Sequence, residues 1–309
     1  MNKSLIIRIS NGLGNQLFMY ASAYAIAKTL NRKLFIDNES GFYSAKNISK
    51  YLLNNFSITS EITSNKNKFN SLYGYCKRKF LLKTDIYRKK KLFYIENKNI
   101  NKITNFNTDY ENQLFNNDLF VEGYFETEKY FIDYKDLIIK EFEFKNKHLY
   151  KNTSYLSDIG KSNSVALCIR QNRFIEGKKN SNLENRRKSW NFTLEQIEYI
   201  NKSVQLIKSK VNDPKFFLWS NDFNNLESKF FNFKYQSINF SNMNNNADKS
   251  ILGLYLLTQC KHYVVTTSSF NWWGAWLSPN QNKIIIRPSN FKNFTVNNKD
   301  LWPKKWLSF

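Results

Sequence analysis

The sequence predicts an α/β fold in which buried parallel strands alternate with helices. Short, almost continuous apolar runs such as SLIIRIS (4–10) and SVALCIR (164–170) are typical of strands covered on both faces of a sheet. Longer segments such as 16–31 and 193–211 repeat apolar residues at helical spacing. The alternation of these two patterns predicts parallel sheets with helices on their faces.

In the first half of the chain, this alternation begins with a βαβ unit. It consists of a strand at 4–10, the turn NGLGN, a helix at 16–31 and a strand at 33–37. The elements predicted to follow are a helix over 71–83, a strand running into a helix over 119–131, and a helix over 136–144.

The second half repeats the alternation. Its predicted elements are a strand at 164–170, a helix at 193–211, a strand at 215–222, a helix at 250–260, a strand at 262–269, a helix from 269 and a strand at 283–289. Thr193 is placed to cap the first of these helices, with Gln196 completing a capping box. Because residues 145–162 are polar and aperiodic, we expect a boundary there. It would separate Rossmann-like domains at 1–150 and 151–309, with a ligand cleft between them.

The composition is that of a folded and strongly basic protein. Apolar residues make up 41% of the 309, which argues against disorder, and 47 Lys and Arg against 25 Asp and Glu give a charge of +22. This excess indicates either a solvated surface or a polyanionic partner, such as nucleic acid, an anionic membrane or a phosphorylated ligand. No DNA- or RNA-binding motif is present, so the nucleic-acid binder is the weaker rival and we expect no such partner. Basic clusters beside Leu, Phe and Trp suit an anionic membrane; they lie at 76–80, 87–91, 186–188 and 303–306.

The cysteines, histidines and apolar runs argue against other classes. Cys76, Cys168 and Cys260 are widely spaced, so we expect no disulfide framework and no zinc site with His148 and His262. The first apolar run is too short for a signal peptide, and none approaches the roughly 18 residues of a membrane span. We expect a cytoplasmic protein, peripheral at most on the inner face of a membrane.

The loop NGLGNQ (11–16) is the first candidate site. It joins a strand to a helix, where backbone N–H groups and the helix N-terminus can bind an anion. The spaced third glycine of a dinucleotide fingerprint is missing. A tight turn with helix caps is the alternative. The candidate ligand-binding residues here are Gly12, Gly14, Asn15 and Gln16.

The stretch VALCIRQNRFIEG (165–177) is the second candidate site. Arg170 and Arg173 leave the end of a buried strand, at the sheet edge where such folds bind ligands, and Arg offers a planar fork for phosphate oxygens. A surface salt bridge is the alternative, although few acids other than Glu176 and Glu184 lie nearby.

Two further strand ends carry hydroxyl and carboxylate groups. In TTSSFNWWGAW, Ser268 and Ser269 stand where a helix N-cap would lie and could bind phosphate. In FLWSND, Ser220 and Asp222 follow a strand, so Asp222 could meet a ribose or a base. Capping of the next helix is an equal alternative for Asp222.

Several stretches resemble glycosyltransferase family 11, the α-1,2-fucosyltransferases. NGLGNQLFMYA (11–21) is similar to the family's G-G-L-G-N-Q-L/M-F-Q-Y-A, and GYFETEKYF (123–131) to its G-Y-F-Q-S-E-K-Y-F. FFLWSND (216–222) resembles F-x-x-F-S-D-D. CKHYVVTTSSFNWWGAWL (260–277) resembles C-x-H-x-I-x-x-N-S-S-F-S-W-W-G-A-W-L.

This resemblance implies a GT-B-like fold, with two Rossmann-like domains facing a central cleft. It implies inverting transfer of fucose from GDP-fucose to a glycan hydroxyl, with no metal or other cofactor. The domain at 151–309 would bind the nucleotide sugar and the domain at 1–150 the acceptor. Arg170 would meet the β-phosphate. The other positions that the resemblance places at the donor are Ser268, Ser269, Phe270 and Asn15.

Two departures from the family pattern concern contacts to the nucleobase of the donor. The family's H-x-R-R-G-D-Y reads CIRQNRF here, so Cys168 replaces its His, and Gly253 replaces an Asp. In related fucosyltransferases this His and Asp are expected to contact guanine, so the resemblance places Cys168 and Gly253 among the candidate donor-binding positions. Either the protein still uses GDP-fucose or a related 6-deoxysugar, reading guanine through backbone groups, Asp248 or Asp222, or the donor is a UDP- or dTDP-sugar. A non-catalytic sugar-nucleotide binder is a third hypothesis.

Inversion requires a general base near the acceptor hydroxyl. Glu176 is our candidate, because it lies just past Arg173 in the same loop, and Glu126 is the runner-up. The expected setting is bacterial surface polysaccharide or O-antigen synthesis, with an acceptor on a lipid carrier as one option.

Overall fold

The computed structural model describes residues 3–43, 49–96, 106–150, 153–176, 181–224, 226, 230–239, 248–292 and 298–309. The chain divides into two compact units. Unit 1 contains Met1–Lys145 and Asn297–Pro303, and unit 2 contains Asn146–Val296 and Lys304–Phe309. The boundary predicted from the sequence lies a few residues later, and the return of 297–303 to the first unit was not predicted.

Unit 1 is built on a parallel sheet. Its described strands are β1 (Ser4–Arg8), β2 (Lys33–Asp37), β3 (Glu61–Ile62), β4 (Lys91–Ile95) and β5 (Phe115–Glu122), in the order β3-β2-β1-β5-β4. Its described helices are α1 (Leu13–Thr29), α2 (Leu72–Asp85) and α3 (Lys135–Glu141). The central strand β1 is fully buried from Leu5 to Ile7, as its apolar run predicts.

One predicted helix of unit 1 is wrong. Strand β5 does not run into an α-helix; two short 3-10 turns, Glu128–Tyr130 and Ile132–Tyr134, follow it. Phe125 has φ 51°, and the Thr127 hydroxyl accepts the Lys129 N–H at 3.3 Å. This local side-chain bond favours a tight turn over an α-helix.

Unit 2 begins with helices α4 (Lys147–Tyr150) and α5 (Ser154–Gly160). Its described strands are β6 (Asn163–Ile169), β7 (Pro214–Ser220), β8 (Tyr235–Ser237), β9 (His262–Val264), β10 (Ile285–Arg287) and β11 (Leu307–Ser308). The remaining helices are α6 (Leu183–Lys210), α7 (Lys249–Thr258) and α8 (Ser269–Trp276). All strand pairs are parallel, in the order β11-β10-β9-β6-β7-β8. The strand order therefore reverses direction between β6 and β9, which is the topological switch point of a Rossmann-like sheet.

Helix α6 corrects another prediction. It begins at Leu183 rather than near Thr193, and the Asn182 side chain caps it by accepting the Asn185 N–H at 2.9 Å. Thr193 lies inside the helix and donates to the Ser189 carbonyl, so the predicted capping box does not form. The first turns were missed because residues 184–189 are polar and give no apolar periodicity.

Among the described residues, no helix combines the length and the apolar character that crossing a membrane requires.

Candidate active site

The candidate site of unit 2 lies at the switch point of its sheet. Leu167 of β6 pairs with Val264 of β9, and Ile169 pairs with Ser220 of β7. Continuing these parallel registers places Arg170 next to Asn221 on one side and Thr267 on the other. The loop after β6 and the start of α8 therefore meet at the edge where Rossmann-like sheets bind ligands.

A buried glutamine fixes the backbone of Arg170. Gln196 is fully buried in α6; its Oε1 accepts the Arg170 N–H at 3.0 Å, and its Nε2 donates to the Arg170 carbonyl at 2.9 Å. A single amide thus holds both peptide groups that flank the Arg170 Cα. This pairing fixes the position of the Arg170 Cα, from which the side chain extends. From the sequence, Gln196 was predicted to complete a helix cap instead.

The Arg170 side chain has one end paired and one end buried without a partner. An Nη donates to Glu176 Oε2 at 2.5 Å, in an ion pair whose side chains are 29% and 44% exposed. In the described part of the chain, the buried Nε–H of Arg170 has no hydrogen-bond partner. The salt bridge considered from the sequence therefore exists, and its acid is the proposed base, Glu176.

A network of polar side chains braces the loop that carries Arg170. Gln171 is buried; its N–H is accepted by Asn221 Oδ1 at 2.8 Å, and its Nε2 donates to the Asp222 and Asn224 carbonyls. Both Asp222 carboxylate oxygens are occupied, by Asn172 Nδ2 and the Asn224 N–H. The Ser220 hydroxyl donates to the Asp222 carbonyl. Ser220 and Asp222, expected at the donor, are engaged in holding the loop in this structure.

The N-terminus of α8 has no side-chain cap. Ser268 occupies the N-cap position, but its side chain makes no capping hydrogen bond, and the first turn contains no acid. The first N–H groups of a helix carry a partial positive charge. Ser268, Ser269 and Phe270 are all half-buried there. Arg173 is also half-buried, in the turn that leads to Glu176.

The two positions where the family carries base-contacting residues point inward. Cys168 is fully buried in β6, and burial raises the pKa of its thiol well above the usual range. Its neighbour on β7, Trp219, donates its indole N–H to the Gly253 carbonyl on α7 at 3.2 Å. Neither Cys168 nor Gly253 offers a side chain to a ligand in this structure, which argues against a side-chain contact from either position to the donor. Asp248 caps α7 by accepting the Ser250 N–H at 2.9 Å.

In unit 1, the loop NGLGNQ lies at the switch point between β1 and β5. Asn11 has φ 62° and donates to the Tyr124 hydroxyl at 3.1 Å, joining the loops that follow these strands. Gln16 is fully buried; it donates to the Asn11 and Lys50 carbonyls and accepts the Leu52 N–H. Gln16 therefore packs the loop from inside and does not face a ligand.

Gly12 and Asn15 lie nearer the surface of this loop. Gly12 is the exposed N-cap of α1, and a Cβ added there would meet no atom within 4 Å. Its φ of −72° suits any residue, so neither backbone strain nor packing explains this glycine. Gly14 is buried in the first turn of α1, and Asn15 is half-buried beside it.

A buried carboxylate that sequence reasoning missed shapes the loop after β5. Glu96 accepts the N–H groups of Tyr124 and Phe125, at 2.7 and 3.0 Å. Glu126, the runner-up base, is half-buried in this loop, and its carbonyl accepts from the Asn298 amide. Within the described residues, no group of three or more His, Cys, Asp or Glu could hold a metal ion.

Residues 2–309 match the family described as Glycosyl transferase family 11. The chain belongs to this family. It is 25% identical to the O-antigen biosynthesis glycosyltransferase WbnK of Escherichia coli, over 97% of this chain and 98% of that protein. It is 26% identical to an alpha-1,2-colitosyltransferase of Escherichia coli, over 98% of each. The protein is therefore a glycosyltransferase.

The fold resembles that of solved fucosyltransferases. Fucosyltransferase NodZ from Bradyrhizobium matches with a TM-score of 0.54 at 14% identity, covering 90% of this chain and 94% of that chain. At this identity the likeness establishes the fold alone, which is GT-B-like and α/β, as the sequence predicts.

Proposed function

We propose that the protein transfers fucose, or a closely related 6-deoxysugar, from a GDP-sugar to a hydroxyl of a glycan acceptor in bacterial O-antigen synthesis. We propose further that the transfer inverts the anomeric carbon and needs no metal ion. The names of the two Escherichia coli relatives support the setting and a sugar of the fucose type. Unit 2 would bind the donor and unit 1 the acceptor.

The arrangement of Arg170 beside the start of α8 carries this proposal. A departing nucleoside diphosphate gains negative charge, which positioned donors in the site must stabilise. The Arg170 guanidinium, whose Nε–H has no partner among the described residues, and the first turn of α8, which has no side-chain cap, are such donors, and both lie at the switch-point edge of the sheet. Ser268 and Ser269 add hydroxyl groups at the same place. These groups suit a diphosphate bound without a divalent cation.

The ion pair between Arg170 and Glu176 suggests how binding would prepare the base. A bound diphosphate would compete with Glu176 for the Arg170 guanidinium. Once released, Glu176 would take the proton from the acceptor hydroxyl while the oxygen of that hydroxyl attacks the anomeric carbon of the donor sugar. The bond from that carbon to the β-phosphate oxygen would break, and the nucleoside diphosphate would leave with the bonding electrons. Glu126 is the second candidate for this base.

The surroundings of Gly253 support a second candidate for the donor, one whose base is not guanine. With Cys168 buried and the Trp219 indole bound to the Gly253 carbonyl, neither position supplies a carboxylate or imidazole for guanine. Loss of hydrogen bonds to a polar base costs several kcal/mol of discrimination, about 1–3 kcal/mol for each unpaired group. A UDP- or dTDP-sugar in the same reaction is therefore the second candidate.

Donor hydrolysis and transfer by the purified protein test the proposed function. GDP-fucose, UDP-galactose and dTDP-rhamnose should be offered separately, with oligosaccharide acceptors, in the presence of a chelator. We expect GDP release that rises when a suitable acceptor is added. Turnover of only the UDP- or dTDP-sugar would replace the first donor with the second, and a complete dependence on added metal would contradict the metal-free mechanism.

A further inference from the structure

The outer face of helix α2 exposes an apolar stripe that nothing in the catalytic proposal uses. Leu72, Tyr73 and Phe80 are 70%, 78% and 66% exposed, and Cys76 is exposed between them. Their spacing places all four on one side of the helix. Just beyond the helix, Ile86 and Tyr87 are 72% and 89% exposed. We call these six residues the α2 stripe.

Contacts on the opposite face of α2 fix the orientation of the helix on the sheet. Arg78 binds Glu122 of β5 through two nitrogens, and the Asp85 carboxylate accepts the Leu92 and Phe93 N–H groups of β4. Gly74 lies so close to Phe69 that an added Cβ would come within 2.9 Å of its Cα. These inward contacts lie on the side of α2 opposite the stripe. The exposure of the stripe is therefore set by the packing of α2 on the sheet.

Lysines line both sides of the α2 stripe. Lys77 lies on one flank and Lys79 on the other, Lys83 lies on the line of the stripe about one turn beyond Phe80, and all three are exposed. Residues 62–95 contain ten Lys and Arg but only one acid, Asp85, which is buried and bound to β4. An acidic counterpart is thus missing from the whole segment around the stripe.

This combination fits an anionic lipid surface better than other polyanions. Nucleic acid could use the lysines and the aromatic rings, but it offers no partner for exposed aliphatic groups such as Leu72 and Ile86. In an interfacial helix, aliphatic and aromatic side chains enter the boundary between headgroups and acyl chains, and flanking lysines reach the phosphates. Both parts of the surface then have a partner.

We propose that the α2 stripe and its flanking lysines form a membrane-docking surface, on which the protein lies against an anionic phospholipid bilayer. This surface belongs to unit 1 and shares no residue with the proposed donor site. Docking and transfer can therefore be measured independently, and failure of one leaves the other intact.

Cys76 provides a direct reporter of docking. Cys168 and Cys260 are buried, so a thiol-reactive, environment-sensitive fluorophore will label Cys76 in the full chain. With vesicles containing phosphatidylglycerol, we expect a blue shift and a severalfold rise in emission; with phosphatidylcholine alone, we expect neither. The control is Cys76→Ser combined with Lys208→Cys, which puts the label on an exposed position of α6. Equal shifts at both positions, or none at position 76, would overturn the proposal.

Vesicle sedimentation with matched variants separates the α2 stripe from the general positive charge. Lys77→Gln with Lys83→Gln should weaken partitioning by about fivefold per lysine, and Phe80→Ser by about tenfold. The charge-matched control is Lys208→Gln with Lys210→Gln, and the apolar control is Leu137→Ser, 41% exposed on α3. Both controls should bind like the parent protein.

The outcome of this comparison is decisive because every substituted side chain is exposed. Circular dichroism should show all variants folded, and transfer to a soluble acceptor should be unchanged. If the control lysines weaken binding as much as Lys77 and Lys83, net charge alone explains the association. If oligonucleotides bind through α2 and vesicles do not, the partner is nucleic acid. Either result would overturn the proposal.

Discussion

The amide of Gln196 is predicted to control both stability and nucleotide binding through the backbone of Arg170. Gln196→Met keeps the length of the side chain but removes the acceptor for the Arg170 N–H and the donor to its carbonyl, at 3.0 and 2.9 Å. Each polar group left unpaired costs about 1–3 kcal/mol. Because Arg170 is only half-buried, we expect a loss of about 2–4 kcal/mol in the free energy of unfolding.

Gln196→Met should also weaken the binding of GDP. With its peptide groups released, Arg170 would no longer be held at the switch point, and GDP affinity should fall by about tenfold, or about 1.4 kcal/mol. Urea unfolding measures the first effect, and calorimetric GDP titration of the folded variant measures the second. Gln205→Met, at an exposed position of the same helix, is the control and should change stability by no more than about 0.5 kcal/mol. Normal GDP affinity in folded Gln196→Met would refute the positioning role.

Three further predictions concern single side chains. Arg170→Lys keeps the charge but loses the planar fork, so GDP affinity should fall by about tenfold in calorimetry, whereas Lys208→Arg should not change it. Glu176→Gln should lower kcat by about 10²–10⁴ in the transfer assay while GDP binds as well or better, because the competing ion pair is gone; near-normal kcat would remove Glu176 as the base. Burial and the nearby Lys261 lower the pKa of His262 in the folded protein. As the pH falls below 6.5, the ordinary pKa of histidine, the unfolded chain therefore binds a proton that the folded protein does not, and stability should be lost. His262→Asn, whose side-chain oxygen can replace Nδ1 as acceptor of the Ile284 N–H, should flatten this part of the melting-temperature profile; an unchanged slope would contradict the assignment.

The strands that position the site were predictable, because strands covered on both faces are nearly continuous apolar runs. β1, β2, β6, β7, β9 and β10 were all identified in this way. The four described edge strands, β3, β4, β8 and β11, were all missed. β3, β8 and β11 have two or three residues each, none of them buried, so no apolar pattern marks them.

The candidate site was predictable to the extent that single residues mark it. Arg170 at a strand end and Ser268 before a helix could be identified from the sequence, because chain order places them at one sheet edge. The roles of Gln196 and Trp219 could not, because their partners lie 26 and 34 positions away in sequence. Cys168 shows the limit of motif transfer. A side chain fully buried in a covered strand cannot take over the ligand contact expected of the histidine it replaces.

Parallel calorimetric titration of the purified protein with GDP, UDP and dTDP tests the central claim most directly. The proposal of a GDP-sugar donor at Arg170 and the start of α8 predicts that GDP binds tightest, and that Arg170→Ala weakens its binding. Tighter binding of UDP or dTDP than of GDP would contradict the proposed donor. Unchanged GDP affinity in Arg170→Ala would contradict the proposed site.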